Sequence, residues 1–547
     1  MTGPLESVRA AAGNLVAVAR TGVLRPRRPD RLLTAARRAR GWGVSPATGV
    51  IAAGALDPDG IAVLDASGEL RWAALDRRTN AMARGLLASG ASPEGALGVL
   101  CRNGRGFVEA TLAAAKVGAD AILLNTGFSA PQLAEVAARE GVTVLLHDPE
   151  LAEVAEAAGF GPGRRLEAGV SLARDSLGSL ARSYDAEPVP PPPRTSVAVI
   201  LTSGTTGTPK GARRHVKLSL GGDGPLALVT RIPVRAGRTT LISAPMFHAW
   251  GFAHFGVCLA MASPMVLQAR FDPEAVLAAI ERHRVDTLVV VPVMLQRLLA
   301  LDPDVRRRYD TSSLRVVASS GSALPTGLAR RFMDAFGDVL YSLYGSTEVA
   351  WAAIAGPEHL RAAPDSAGPP VADIRLLDPE GRPVGPGQSG RIFVRNPMLF
   401  EGYTGGGTKE VVDGFMSTGD VGHLDERGWL QVDGRDDDMI VSGGENVFPQ
   451  EVEGVIMTHP AVADAACVGV PDEEFGQRLV AFVVRREGAD VGADEIRTWV
   501  RDHLARYKVP RDVRFVDELP RTTTGKVLRR VLASEAAGTA GTGSAGT

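Results

Sequence analysis

The sequence predicts an α/β protein, with a large N-terminal multi-subdomain α/β domain and a small mobile C-terminal α+β domain. Three observations predict this. At 547 residues the chain exceeds what one ordinary core organises, so two or more domains are expected. From residue 60 onward short apolar runs alternate with helix-period runs at crossover spacing, the rhythm of a buried parallel sheet. After about residue 438 the units shorten. The expected division is a partly basic leader over 1–59, a main domain over 60–436, a C-terminal domain over 437–533 and a tail over 534–547. The tail is Gly/Ala/Ser/Thr-rich, a composition that stays disordered.

The elements follow in order. Residues 5–23 are weakly amphipathic, and Arg20, Arg25, Arg27, Arg28, Arg31, Arg37, Arg38 and Arg40 make the leader basic. A docked or solvated leader is the favoured reading, and peripheral contact with an anionic membrane is the other. Strands are expected at 97–101, 120–124 and 142–147, with helices at 106–117 and 130–140. Pro190 to Pro193 form a stiff break before the next strand. The rhythm resumes with helices at 273–284 and 325–336 and strands at 287–291 and 314–319. In the last domain, helices are expected at 449–458 and 493–506 and strands at 463–470 and 479–485. Between Thr239 and Ala269 there is no Asp, Glu, Lys or Arg. Pro245, His248, Gly251, His254, Gly256 and Pro264 interrupt that stretch, so it reads as a buried strand, loop and helix lining an apolar cavity, not a membrane span.

Composition narrows the function. Sixty basic residues nearly cancel 62 acidic ones, which disfavours a general nucleic-acid binder. Cys101, Cys258 and Cys467 are odd in number and far apart, so neither a disulfide framework nor a zinc cluster is indicated. A reducing cytoplasm is the simplest setting, and the N-terminus lacks the start of a secretory signal. Nothing in the sequence fixes an oligomeric state.

Residues 201–211 read Leu-Thr-Ser-Gly-Thr-Thr-Gly-Thr-Pro-Lys-Gly. Glycines let backbone N–H groups converge on oxygens, the hydroxyls donate further bonds and Lys210 adds charge, which suits polyphosphate. Pro209 before Lys210 and Gly211 after it rule out a Walker A loop. Four later segments share its character: Tyr344-Gly345-Ser346-Thr347-Glu348, Ser417-Thr418-Gly419-Asp420, Gly434-Arg435-Asp436-Asp437-Asp438 and Thr522-Thr523-Thr524-Gly525-Lys526. Each alone has a bland structural explanation. In this order, over residues 60–533, they resemble the superfamily of adenylate-forming enzymes, and fatty acyl-CoA synthetases most of all. Pro245-Met246-Phe247-His248, Ser320-Gly321-Ser322-Ala323, Ser442-Gly443-Gly444-Glu445-Asn446 and Arg506-Tyr507-Lys508-Val509-Pro510 extend the likeness.

The resemblance implies a two-step ligase. A carboxylate attacks the α-phosphate of ATP, and the thiol of coenzyme A then displaces AMP. It implies that Thr202, Ser203, Gly204, Thr205, Thr206, Gly207 and Lys210 hold the β- and γ-phosphates. Thr347 contacts the α-phosphate, and Glu348 with Thr205 holds Mg²⁺. Tyr344 stacks on adenine beside Gly345, with Gly321, Ser322 and Ala323 along its edge. Asp420 accepts the ribose hydroxyls, Arg435 contacts ribose or phosphate, and Lys526 bridges the acid and the α-phosphate. The C-terminal domain swings about Asp437, bringing Ser442, Gly443, Gly444 and Lys508 to coenzyme A. His248 lies beside the acyl carboxylate, and Trp250 and Phe252 gate or floor the acyl pocket. With no acid at 239–269 to pair an ammonium and no base to pair a second carboxylate, an apolar monoacid is expected. A fatty acid is the first expectation. An aromatic acid, or an acyl-AMP ligase that loads a carrier protein, is the alternative.

Overall fold

Two large, mainly parallel sheets carry the main body. The computed structural model describes residues 18–538 apart from 24, 26–27, 172, 203–208, 216–223, 437, 439, 443–444, 473–475 and 523–524; at 224–225, 441–442, 445–446, 476 and 538 only the backbone is described. One sheet runs Gly402–Tyr403, Lys210–Arg213, Ala198–Thr202, Asp120–Leu123, Ala96–Leu100, Val142–His147, Arg165–Glu167. The other runs Ala350–Ala355, Leu340–Ser346, Val316–Ser319, Thr287–Val290, Thr240–Ile242, Met265–Leu267, Ile61–Asp65, Gly68–Arg71. Inner strands are parallel and almost wholly apolar, as a sheet covered on both faces requires. The first sheet turns antiparallel at its Lys210–Arg213 edge, and the second at both edges, at Ala350–Ala355 and at Gly68–Arg71.

A third, antiparallel sheet joins Asp373–Leu377, Gly390–Arg395 and Phe415–Leu424, with Val411–Val412 and Leu430–Arg435 on the last of these. A fourth sheet is built only from later residues: Glu445–Val447, Ile440–Ser442, Gly476–Arg485 and Val462–Asp472, with Asp512–Phe515 paired to Gly476–Arg485. The α/β body with a smaller C-terminal unit is therefore as expected, and most element ends fall within a few residues. The helix expected from 325 starts at Leu328, because Gly327 sits in a left-handed turn (φ +73°) just before it.

The uncharged stretch is a strand (Thr240–Ile242), a helix (Ala249–Met261) and a strand (Met265–Leu267), and no helix among the described residues is long and apolar enough to cross a membrane. The leader, by contrast with the expected division at residue 60, is not separate from the body. Helix Pro46–Leu56 buries Val50, Ile51 and Ala53, and it packs so closely on Ala249–Met261 that a Cβ on Gly49 would lie 2.7 Å from Leu259 Cβ. The tail is ordered further than its composition suggests. Helix Arg529–Gly538 runs into it and buries Leu532 and Ala536 against the fourth sheet, because apolar residues four apart share one helix face.

One buried polar cluster ties the leader down. Lys116 Nζ donates to Asp76 O at 2.8 Å, Asp76 Oδ1 at 2.6 Å and Asn80 Oδ1 at 2.6 Å. Arg38, on helix Pro29–Ala39, donates to the other Asp76 oxygen at 2.6 Å. Burial lowers Lys116 to about 8, and the Asp76 carboxylate resists the drop. A buried ion pair that loses one partner leaves the other charge unpaired, at a cost of about 3–5 kcal/mol. Lys116→Met is expected to destabilise the main body by that order, read as a lower urea midpoint at unchanged slope.

Candidate active site

A cavity of about 2420 Å³ opens between the main body and the fourth sheet. Its polar end lies at the antiparallel edges of the two large sheets and the third sheet. Tyr344 lies near the end of strand Leu340–Ser346, where the register slips between Tyr344 and Gly345. Gly345 fits this bulge because a Cβ there would run into the Ala350 carbonyl. The Tyr344 hydroxyl donates to Asp420 Oδ2 at 2.6 Å. Asp420 faces Arg435 across strands Phe415–Leu424 and Leu430–Arg435, and Arg435 Nη1 donates to Asp420 Oδ1 at 3.3 Å. Burial pushes the Asp420 carboxyl up, with Arg435 and Tyr344 opposing, and burial beside Asp420 pushes the Tyr344 phenol up strongly.

Glu348 is the second buried carboxylate. Ser346 Oγ donates to its Oε2 at 2.8 Å and the Tyr403 hydroxyl to its Oε1 at 2.9 Å. Tyr403 comes from the edge strand paired with Lys210–Arg213, and Lys210 Nζ lies 5.5 Å from its ring centre. Arg214, just past that strand, donates from Nη2 to the Thr347 carbonyl. Its Nε is buried with no hydrogen-bond partner among the described residues, and burial lowers the guanidinium to about 10 while Glu348 supports its charge. Thr202 Oγ1 donates to Lys210 O at 3.2 Å, closing the base of the glycine-rich loop.

Lys526 enters from the other side. Its turn (Gly525, φ +81°) rests on the main body, where a Cβ on Gly525 would lie 2.7 Å from Val293 Cγ1. The Lys526 side chain stays open to the cavity, yet burial of the surroundings lowers its ammonium; Arg435 adds to this, while Asp420 and Glu348 oppose it. His248 precedes helix Ala249–Met261. Burial, and then Lys526, lowers its imidazole to about 4, so it is neutral near pH 7.

The structure thus brings together Thr202, Lys210, His248, Gly321, Ser322, Ala323, Tyr344, Gly345, Thr347, Glu348, Asp420, Arg435 and Lys526 around one cavity. Trp250 and Phe252 also line it, but the Trp250 indole is spent on the core, donating to Val290 O at 3.0 Å. Lys508 is not brought there. Its ammonium is held by both Glu451 oxygens at 2.6 Å. Ser203, Gly204, Thr205, Thr206, Gly207, Asp437, Gly443 and Gly444 lie outside the described residues, as does the Ser442 side chain.

Comparison with known proteins decides the family. Residues 52–404 match the model of the AMP-binding enzymes, and 451–526 match that of the AMP-binding enzyme C-terminal domain. The chain belongs to the AMP-binding enzyme family. A feruloyl-CoA synthase of an Amycolatopsis species is 36% identical over 485 residues, 87% of this chain and 95% of that one. An indoleacetate–CoA ligase of Aromatoleum aromaticum is 34% identical over 498 residues, 86% and 94% of the two chains. The solved anthranilate CoA ligase AuaEII, in complex with anthranoyl-AMP, superposes with a TM-score of 0.80 at 25% identity, over 90% of this chain and 98% of that one.

Two residues of this family member's polar end escape sequence reading. Tyr403 and Arg214 carry no motif of their own, and they meet Glu348 only through the pairing of Gly402–Tyr403 with Lys210–Arg213. The doubled arginine after Lys210-Gly211-Ala212 is the one visible signal. Arg214 holds a buried charge and an unused donor toward the expected phosphate end. Arg214→Met is expected to weaken ATP binding about tenfold or more, the scale of one lost charge-assisted hydrogen bond. Arg214→Lys should recover part of it in the same calorimetric titration.

Proposed function

We propose that this acid–CoA ligase adenylates an apolar monocarboxylic acid carrying an aromatic ring and passes the acyl group to coenzyme A. The observation that carries this reading is the convergence of Lys526 on Glu348 and Asp420 at one end of a cavity that then runs along the uncharged face of helix Ala249–Met261. A carboxylate oxygen attacks the α-phosphorus, the bond to the bridging oxygen of pyrophosphate breaks, and pyrophosphate leaves. The coenzyme A sulfur then attacks the acyl carbon, AMP leaves, and the thiol proton goes to solvent.

The first step joins two anions, so fixed cations and donors must offset their repulsion. Lys210 and Arg214 suit the phosphates, and Lys526 suits the junction of acid and α-phosphate, where a long ammonium acts as a movable point charge. Thr347 would contact the α-phosphate. Asp420 would accept the ribose hydroxyls with Arg435 beside it, and Tyr344 with Gly321 to Ala323 would frame the adenine. Glu348 fits Mg²⁺, because a hard cation needs only one or two protein carboxylates beside phosphate and water oxygens; bound there, the ion would neutralise phosphate charge. Neutral His248 can sit beside a carboxylate without titrating near pH 7.

The absence of charge over 239–269 supports an apolar acid. The acids named for the two relatives are aromatic, which favours the aromatic alternative; the fatty-acid preference finds no support in them. The domain division at 437 has support in the contacts on either side. Asp436 accepts from Arg391 Nε at 3.2 Å and donates its N–H to Gly419 O at 3.0 Å, both in the third sheet. Asp438 pairs with Arg529 at 3.4 Å in the C-terminal unit. A swing about Asp437 would withdraw Lys526 and present Ser442, Gly443, Gly444 and Lys508 to coenzyme A.

Purified protein should catalyse ATP–pyrophosphate exchange that depends on arylpropenoic or arylacetic acids, and form the CoA thioester. Lys526→Ala should lower exchange about 100-fold, the scale of one lost transition-state contact. Exchange undiminished in that variant, formation of ADP, or acylation of carrier proteins only would overturn the reading. Gly525→Val places a branched side chain against Val293 in a strained backbone, at a cost of about 1–3 kcal/mol. It should slow adenylation roughly tenfold yet spare thioester formation from supplied acyl-AMP, as separate half-reaction assays will show.

A further inference from the structure

The apolar end of the cavity continues well past the reach of one ring, and its far wall is the leader. Helix Ala249–Met261 presents Phe252, Ala253, Gly256, Val257 and Ala260 to the cavity, while Phe255 and Cys258 are buried in the core. From His248 to Phe252 is about 6 Å of helix, and from Phe252 to Ala260 about 12 Å more, at 1.5 Å per residue. Gly256 sits midway along this face. A glycine inside a helix is unfavourable by about 1 kcal/mol against alanine. Here it leaves room: a Cβ at Gly256 would meet nothing within 4 Å.

Beyond Gly256 the cavity is bounded by Val18, Thr21, Val23 and Val44 of the leader and Val229 of helix Gly224–Arg231. The family match begins at residue 52, so the leader part of this wall lies outside the matched residues. It is anchored at several points. The Thr21 carbonyl accepts from Ala236 N at 2.7 Å, Trp42 is buried in the main core, Arg31 Nη1 donates to Leu56 O at 3.3 Å, and Arg38 grips Asp76. The only charged side chain of the leader on the cavity is Arg25 among the described residues, and it folds back over Gly22.

We infer that the described residues of the leader between 18 and 45 form a specificity-determining wall of the acyl cavity, and that with Gly256 they admit extended apolar monocarboxylic acids, longer than a single-ring acid, whose tail runs along helix Ala249–Met261 to Val23. The inference rests on the acid-ligase reading and adds the size of the acid and the segment that limits it. The occupant is the acyl tail of the substrate, because the cavity is continuous with the Lys526 end and has no charge along the helix face.

The test is acid-dependent ATP–pyrophosphate exchange with a series of ω-phenylalkanoic acids from phenylacetic to phenyldodecanoic acid, read as the ratio of kcat/KM for long over short members, a ratio that does not depend on the folded fraction. Wild type should give a ratio at or above one. Gly256→Phe should lower it at least tenfold, with Gly256→Ala between. Val23→Trp should lower it only for the longest members, moving the cut-off to longer chains than Gly256→Phe does. A wild-type ratio below one-tenth, or a ratio for the longest members that Val23→Trp leaves unchanged, would overturn the leader wall while leaving the ligase reading intact. Exchange with no acid of either length would overturn both.

Discussion

Two carboxylates, Asp420 and Glu348, sit in a partly dry cleft, and much of the polar end is arranged around giving their oxygens partners. A buried carboxyl without partners takes up a proton. Before any ligand arrives every oxygen of Asp420 and Glu348 already accepts a hydrogen bond: Tyr344 and Arg435 serve Asp420, and Ser346 and Tyr403 serve Glu348. The donors come from strands Leu340–Ser346, Gly402–Tyr403 and Leu430–Arg435, so the geometry is set by sheet pairing and does not need to reorganise during reaction. The cations Lys210, Arg214 and Lys526 then remain to meet the charge that a nucleotide brings.

Placing the most exposed of these cations on a different unit has a physical consequence. Lys526 feels two opposing influences, desolvation and Arg435 against Asp420 and Glu348, and these exist only while its turn rests on Val293. A charge on the main body would stay in the cleft through every step. A charge carried by a separately folded unit can be removed by moving that unit, and the contacts of Asp436 and Asp438 fall on opposite sides of residue 437. The residues proposed for adenylation are therefore gathered in this arrangement, while Lys508 remains paired with Glu451 outside it.

Much of this is legible in the sequence, for local reasons. Inner parallel strands read as short apolar runs because both faces are covered, and the uncharged stretch at 239–269 reads as a buried strand and helix because its prolines and glycines exclude a span. The site segments stand out as dense clusters of Gly, hydroxyl and charge. Arg214 and Tyr403 do not, since their roles arise from the pairing of strands far apart in the chain. The attachment of the leader is hidden because arginine density masks helix Pro46–Leu56, whose faces are both buried and so show no amphipathic period. The packing of the tail is hidden likewise: only Leu532 and Ala536 mark the buried face, and small residues dominate the composition around them.

The two ends of the cavity impose different kinds of selection. At the polar end, charge and hydrogen bonds recognise groups common to every acid and nucleotide, so they cannot distinguish one apolar acid from another. Along the face of helix Ala249–Met261 the wall is apolar, and volume is what selects. Burying one methylene is worth about 0.8 kcal/mol, roughly a fourfold change in affinity, so discrimination between acids builds up slowly with depth and stops where the wall stands. A change in that wall alters which acids fit without touching Lys526, Glu348 or Asp420. In this chain the polar end lies largely within the segments that match the family, whereas the far wall is drawn from a leader that precedes them. On that reading the chemistry lies largely within the matched segments, while the size limit is shared between helix Ala249–Met261 inside them and the leader that precedes them.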